Sequence, residues 1–343
     1  MNGIFLRLAW RNIWRNQRRS LILVGAILIG AAGLSFSLGF MNAYLIQMTS
    51  NAIDYDLGYI QVHASGYHDN PTPDRTFTIE DQVVRELADR ADVTGLSRRL
   101  RTTGLASNPR YSRGIQIVGV DPRREGDVSL VPGRMIEGRY LEPADRNGVV
   151  IGRAFADKLK TRLGRKLILM CSDRSGQVAS EAFTIVGMYE GPQTEFEKNY
   201  VYVSLSAAQR LLAVGEAISD LVFRLSPEDD PDQVAAALRT FLSGRGLEVM
   251  TWMEMEPLLV QMTVLFSQSS FLLFLIIFIA MAFVIANSFL MAVMERIREF
   301  GLMKAMGVRP RQLVSLILLE SFMLAFIGNG LGLAIGGALT RYF

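Results

Sequence analysis

Few residues in this chain have the type and spacing that reactive chemistry requires. Its two histidines, His63 and His68, with Asp69 beside them, could share a metal ion only if a strand and a Gly/Pro-containing loop converged, and that favours no metal site. Cys171, the single cysteine, leaves no intrachain disulfide to form and reads as a small packed residue at a strand end rather than a nucleophile. Asp229, Asp230 and Asp232 precede an Ala-rich helical stretch, where acids at a helix start answer the macrodipole. No GxxxxGK[ST] phosphate loop, GxSxG elbow, HExxH helix or CxxC pair occurs, so the chain is not expected to hydrolyse ATP alone, or to be an enzyme.

One acid is more telling. Glu320 is the only charge between Gln312 and Thr340, about 13 Å along a helix from Arg311. An acid at such a position in an apolar helix is a candidate intramembrane polar site, and an interhelical hydrogen bond accounts for it equally well.

The elements that would position these residues are set by clustered apolarity. Of 343 residues, 50% are hydrophobic and only 20% charged, and the mean hydropathy is +0.24. No charge occurs over 34 positions from Ser20 to Ile53 or over 38 from Pro257 to Met294. With the window from Gln312, this predicts three membrane spans, at 20–45, 264–294 and 312–340. The composition excludes disorder and disulfide-stapled scaffolds. The apolar run after the Arg-rich start exceeds a signal-peptide core, so an uncleaved anchor is expected.

Charge then orients the spans. Residues 1–19 carry five arginines and no acid, and the loop 295–311 carries five bases against two acids. Positions 46–263 retain 25 basic and 30 acidic residues. Basic short loops face the cytoplasm, which puts the N-terminus and the 295–311 loop inside and the acidic middle segment outside, with no nucleic-acid partner expected. Residues 4–18 read as an amphipathic interface helix, with Arg7, Arg11, Arg15 and Arg18 on one face and Phe5, Leu6, Ala9, Trp10 and Ile13 on the other, touching membrane lipids.

The middle segment reads as an α+β extracytoplasmic domain inserted between the first and second spans of an α-helical transmembrane protein. Strands are expected at 59–63, 114–120, 148–151, 166–171, 182–187, 200–203 and 221–225, with a hairpin turning at Arg174-Ser175-Gly176. The second span is longer than the hydrocarbon core and would join domain to membrane as a stiff helix. In the third span, Gly328, Gly332 and Gly336 recur every four residues, a pattern for close helix packing or, alternatively, for a substrate groove. The first span carries Gly25, Gly30, Gly33 and Gly39.

Between the second and third spans, Glu295 to Gly307 alternates charges with Phe300, Met303 and Met306, and describes one short cytoplasmic helix that could dock in a partner's groove. This stretch resembles the coupling segment of FtsX-like ABC transporter permeases, the MacB or type VII superfamily, roughly ERxxExGxLKAxG, at Glu295, Arg296, Glu299, Gly301, Lys304, Ala305 and Gly307. Val118-Gly119-Val120-Asp121-Pro122, Glu137-Gly138-Arg139-Tyr140-Leu141, Val150-Ile151-Gly152 and Ile185-Val186-Gly187 are similar to that superfamily's periplasmic core domain. The resemblance runs over essentially the whole chain.

It implies an inner-membrane permease subunit paired with an identical or homologous copy and with a cytoplasmic ATPase dimer that binds ATP and Mg. Glu295, Arg296, Arg298, Glu299, Phe300, Gly301, Lys304, Ala305 and Gly307 would be the ATPase-coupling residues. The family usually has four spans, so a fourth is expected to be missing after Phe343. Without a fused ATPase, the layout is closest to the lipoprotein-releasing LolC/LolE permeases, and acyl chains would suit an opening between the first and third spans. In LolC-type permeases a Pro-containing hairpin loop recruits a periplasmic lipoprotein chaperone. The counterpart here, Asp173 to Ser180, is short and lacks proline, which argues against recruitment through it. Efflux of a periplasmic toxin or antibiotic with an adaptor, and FtsX-like signalling to a cell-wall hydrolase, are the alternatives.

Overall fold

The computed structural model describes residues 7, 10, 11, 13–15, 17–226 and 228–342. Phe5, Leu6 and Ala9, expected on the apolar face of the interface helix, lie outside them. The chain divides into two compact units, one drawn from the residues up to Gln47 and from Gln261 onward, the other spanning Met48–Val260.

In chain order the helices are α1 (Gln17–Ala52), α2 (Asp81–Ala88), α3 (Glu125–Val128), α4 (Arg153–Leu159), α5 (Thr194–Asn199), α6 (Leu205–Leu212), α7 (Pro231–Phe241), α8 (Trp252–Met255), α9 (Pro257–Glu295), α10 (Ile297–Ala305) and α11 (Pro310–Tyr342). Among the described residues, three helical stretches are long and apolar enough to cross a membrane: Ser20–Leu57, Pro257–Glu295 and Pro310–Tyr342. Each outruns the expected span. α9, at 39 residues, is about 58 Å long.

In the helical unit, α1 and α11 pack through small residues. A Cβ added at Gly328 would lie 2.9 Å from Ile27, one at Gly332 2.7 Å from both Ala31 and the Leu28 carbonyl, and one at Gly336 2.7 Å from Ser35 and the Ala32 carbonyl. Only glycine lets these backbones come so close, so that face is filled by α1. Of the two readings of this glycine pattern, these contacts fit close helix packing and not the alternative groove. In α1, Gly30 meets Met281 of α9 and Gly39 meets Thr340 of α11, while Gly25 and Gly33 face open space. Exposed aromatics of α9, including Phe271, Phe278 and Phe283, give it the apolar outer surface that a membrane-spanning helix needs. Of the interface helix, Ile13 is buried and Trp10 and Trp14 are exposed, their rings edge to face at 6.0 Å.

The second unit is an α+β domain with strands β1 (Ile60–Ala64), β2 (Val93–Ser107), β3 (Ser112–Val120), β4 (Met135–Gly138), β5 (Gly148–Gly152), β6 (Lys166–Ser172), β7 (Val178–Tyr189), β8 (Tyr200–Ser204), β9 (Asp220–Leu225) and β10 (Leu247–Thr251). Their order is β10-β1-β9-β2-β3-β8-β5-β7-β4, and β6 pairs with both β2 and β7. The ladder β2-β3-β8-β5-β7-β6 therefore returns to β2 and closes a six-stranded ring, which removes exposed edges. Its apolar core includes Leu100, Ile117, Ile151, Phe155, Leu169, Phe183 and Val203. A second core lies between β1, β9 and β10 and helices α2 and α7, around Ile60, Leu87, Phe223 and Leu238.

β2, the longest strand, is absent from the sequence reading, as are β4 and β10. Its segment contains Arg98, Arg99, Arg101 and two glycines, which hide the period-two signal because arginines occupy buried positions. The 166–187 hairpin turns where expected: Gly176 has φ +81°, and the Asp173 carboxylate accepts from the Ser175 and Gln177 amides. Asp230 caps α7, accepting from the Asp232 amide at 3.0 Å.

Candidate functional site

Between α9 and α11, the 295–307 stretch forms two pieces rather than the single helix expected. Glu295 ends α9, Arg296 leaves helical geometry at φ −107°, ψ 16°, and α10 begins at Ile297. Gly307 ends the segment at φ +89°, a conformation that suits glycine, and Pro310 opens α11.

The break is explained by where Arg296 goes. Its side chain is only 9% exposed, and Nη1 donates to Glu320 Oε2 at 3.3 Å. A lone carboxylate or guanidinium buried there would be costly, and pairing offsets that cost. Arg296 therefore belongs to the helix-packing interior, unlike its exposed neighbours Ile297, Arg298 and Glu299. Glu320 serves as its interhelical partner.

A second ion pair fixes α10 from outside. Arg15 Nη2 donates to both carboxylate oxygens of Glu299, at 2.9 and 2.8 Å, with both side chains half exposed. The Arg15 hydrogen bond holds the Glu299 carboxyl below the usual carboxylate range. Phe300 and Met303 are half-buried, whereas Ile297, Leu302 and Met306 are open. Arg298, Gly301, Lys304 and Ala305 are exposed, and a Cβ at Gly301 would meet nothing within 4 Å. The apolar residues offered to a partner are thus Leu302 and Met306 more than Phe300 and Met303.

The domain carries a polar cluster of its own. After Ala52 the chain continues into a π-helical turn, Ile53–Leu57, stopped by Gly58 at φ +66°. Helix ends leave carbonyls without partners and carry partial negative charge. Here side chains capture them: Arg99 and Arg101 both donate to the Asp56 carbonyl, Gln61 Nε2 to Leu57 at 2.7 Å, and Ser129 Oγ to Tyr55 at 3.2 Å. Arg224 Nη2 reaches the Asp54 carboxylate at 2.9 Å, and the Tyr200 hydroxyl donates to Asp56 Oδ2 at 3.1 Å.

Both arginines are in turn neutralised. Arg99, fully buried, meets Glu125 at 2.6 Å, with Ser97 on the same carboxylate. Arg101 spans the Asp56 carboxylate and Asp220, the latter at 2.9 Å. Asp220 also holds His63 Nε2 at 3.1 Å and accepts from Ser219 at 2.9 Å. Burial opposes the Asp220 charge, but Arg101, His63 and Ser219 outweigh it and keep its carboxyl below the usual range. His63 Nε2 also meets Gln61 at 2.8 Å, so this ring nitrogen is occupied by protein groups. His68 lines a cavity of about 190 Å³ with His63 and Arg101.

Sequence reading missed this cluster, because Asp54, Asp56, Arg99, Arg101, Glu125 and Asp220 are scattered over 167 positions. The available signal was the run Arg98-Arg99-Leu100-Arg101. No group of three or more His, Cys, Asp and Glu side chains suited to a metal ion occurs among the described residues. Cys171 is buried, and burial pushes its thiol up to about 11, so it is a poor nucleophile.

Residues 20–241 match the family model of the MacB-like periplasmic core domain, and residues 270–343 match that of the FtsX-like permease C-terminal region. The chain is 20% identical to the lipoprotein-releasing system transmembrane protein LolC of Neisseria meningitidis, covering 92% of this chain and 76% of that one. It is 23% identical to the pyoverdine export ATP-binding/permease protein PvdT of Pseudomonas fluorescens, covering 97% of this chain but only about half, 52%, of PvdT. Among solved structures, the periplasmic region of MacB from Actinobacillus actinomycetemcomitans is 12% identical with a TM-score of 0.42, covering 63% of this chain and 95% of that region.

Proposed function

Because the chain belongs to the MacB-like periplasmic core domain family and ends in an FtsX-like permease region, and so is an ABC transporter permease, we propose that it couples ATP hydrolysis by a separate cytoplasmic ATPase dimer to work on lipoproteins leaving the inner membrane. The observation that carries the coupling part is α10: a short exposed helix within the FtsX-like match, anchored on one side by Arg15 and preceded by the buried Arg296–Glu320 pair. Leu302 and Met306 supply apolar anchors, the space above Gly301 admits a partner side chain, and Arg298 and Lys304 set the register. The partner holds ATP and Mg. This chain's part is to receive the movement.

In this reading the N-terminal arginines and α10 face the cytoplasm and the α+β domain lies outside it. Two permease copies, identical or homologous, flank the ATPase dimer. The lipoprotein assignment rests on the likeness to LolC over most of both chains. The likeness to PvdT favours a second reading, export of a small molecule with a periplasmic adaptor.

Two measurements test these readings. The E299A/G301V variant, with its partner ATPase, is expected to lose stimulated ATP hydrolysis while the outer domain keeps its circular dichroism; full activity would remove α10 from the mechanism. Purification of the full-length protein from its native membrane with nucleotide trapped, followed by mass spectrometry, separates the substrates. An ATPase with acylated lipoproteins supports lipoprotein release, and an ATPase with a periplasmic adaptor supports export.

A further inference from the structure

Within the α+β domain, Ile60 and Leu96 both pair with Phe223, so the start of β1 and the early part of β2 are level. Ser107 ends β2 about 35 Å further along the strand. The turn that follows, Asn108 to Tyr111, therefore lies at the end of the domain far from where the chain enters at Ile60 and leaves at its partner Thr251. A cavity of about 470 Å³ opens there, lined by this turn and by the segment from Leu159 to Lys166.

Its charge is one-sided. Arg110, Lys160, Arg162, Arg165 and Lys166 line it, and no acidic side chain does. None of the five forms an ion pair among the described residues; Arg113, Arg153 and Arg245 elsewhere in the domain share this, whereas Arg99, Arg101 and Arg224 are paired, and what sets the five apart is that they line one cavity. This concentration of cations occurs in a segment whose acids outnumber its bases.

The walls are also tied together. Asn108 Nδ2 donates across the cleft to the Leu159 carbonyl at 2.7 Å, while its Oδ1 accepts from the Arg110 and Tyr111 amides at 2.9 Å. Lys160 sits at φ 49°, a left-handed position where glycine or asparagine would cost less, and its Nζ lies 5.7 Å from the centre of the Tyr111 ring. One polar side chain thus fixes the cleft's shape, and its cations repel one another unless a dense anion enters.

We propose that this cleft binds a ligand carrying two or more phosphate groups. Arginine forks match phosphate oxygens, each phosphate brings between one and two negative charges, and the volume exceeds what one oxyanion fills while lying in the range of ligand pockets. An open cleft with its two walls tied by Asn108 suits such a ligand better than the flat acidic face of a protein. The phosphates could be those of a soluble compound or of a lipid headgroup.

The test uses the full chain in phosphatidylcholine nanodiscs, titrated calorimetrically with inorganic pyrophosphate. Saturable binding, weakened by added KCl and at least tenfold weaker in R162E/R165E and in the milder R162Q/R165Q, is expected; K158E and R245E, outside the cleft, should bind as the parent does. Vesicles containing cardiolipin, whose headgroup carries two phosphates, that co-float with the nanodiscs and are displaced by pyrophosphate identify a lipid source; pyrophosphate binding without flotation identifies a soluble one. Absence of saturable binding, binding unchanged in both arginine variants, or displacement of pyrophosphate by polyglutamate at equal charge, which would mark an acidic protein surface, overturns the proposal.

Discussion

Arg296 and Glu320 meet at 3.3 Å, from the break between α9 and α10 to the third turn of α11, with both side chains less than a tenth exposed. One residue of the 295–307 stretch is thereby tied into the helix packing while its neighbours stay open. Breaking a buried pair by removing one member strands the other charge. E320A should lower stability by about 3–5 kcal/mol, read as a drop in thermal midpoint in detergent, and R296M/E320L should recover most of it. Equal stability of E320A and parent would contradict the pairing.

The Arg15–Glu299 pair behaves differently because water screens it. Its removal in E299Q should change stability by no more than about 1 kcal/mol, and 0.5 M salt should erase even that difference. If α10 transmits movement, stimulated ATP hydrolysis falls in the same variant. A thermal melt and an ATPase assay on one preparation separate the two effects.

Close packing of α1 on α11 predicts a sharp contrast among glycines. G332L places side-chain atoms against Ala31 and the Leu28 carbonyl and should destabilise the helical unit by at least about 1–3 kcal/mol, whereas G330A and G337A, which face open space, should be tolerated. Thermal melts of the three variants in one detergent check this.

Asp220 sets a pH dependence. Its carboxyl titrates below the unfolded value near 3.9, so its contribution is present above that pH and is lost as pH falls through the folded value. The thermal midpoint should fall on acidification below about pH 4, and D220N should be less stable at pH 7 with a flatter acid limb. Midpoints at pH 7, 4 and 3 for both proteins decide it.

Cys171, buried and with its thiol raised to about 11, should resist a thiol reagent at pH 7.5 in the folded chain and react fully in denaturant. Rapid labelling of the native protein would show that the strand end opens.

The helical hairpin of the last two spans, a short helical stretch between them and most strands were legible in the sequence, because charge-free windows, a Gly-Pro boundary and runs of β-branched residues are local signals. The six-strand closure was not. It depends on β2, whose buried arginines read as a solvated segment until Glu125, Asp56 and Asp220 are brought to them.

The sequence by itself determined three apolar windows, the sign of charge on their flanks and the small-residue line at Gly328, Gly332 and Gly336, since hydropathy and spacing belong to the chain. Only the tertiary structure decided that α1 fills that line, that Arg296 turns inward to Glu320, and that five cations from two loops share one cavity. The physical reason is common to all three: each depends on a partner far away in the chain, and the cost of a buried charge or of close backbone contact exists only once folding brings that partner near.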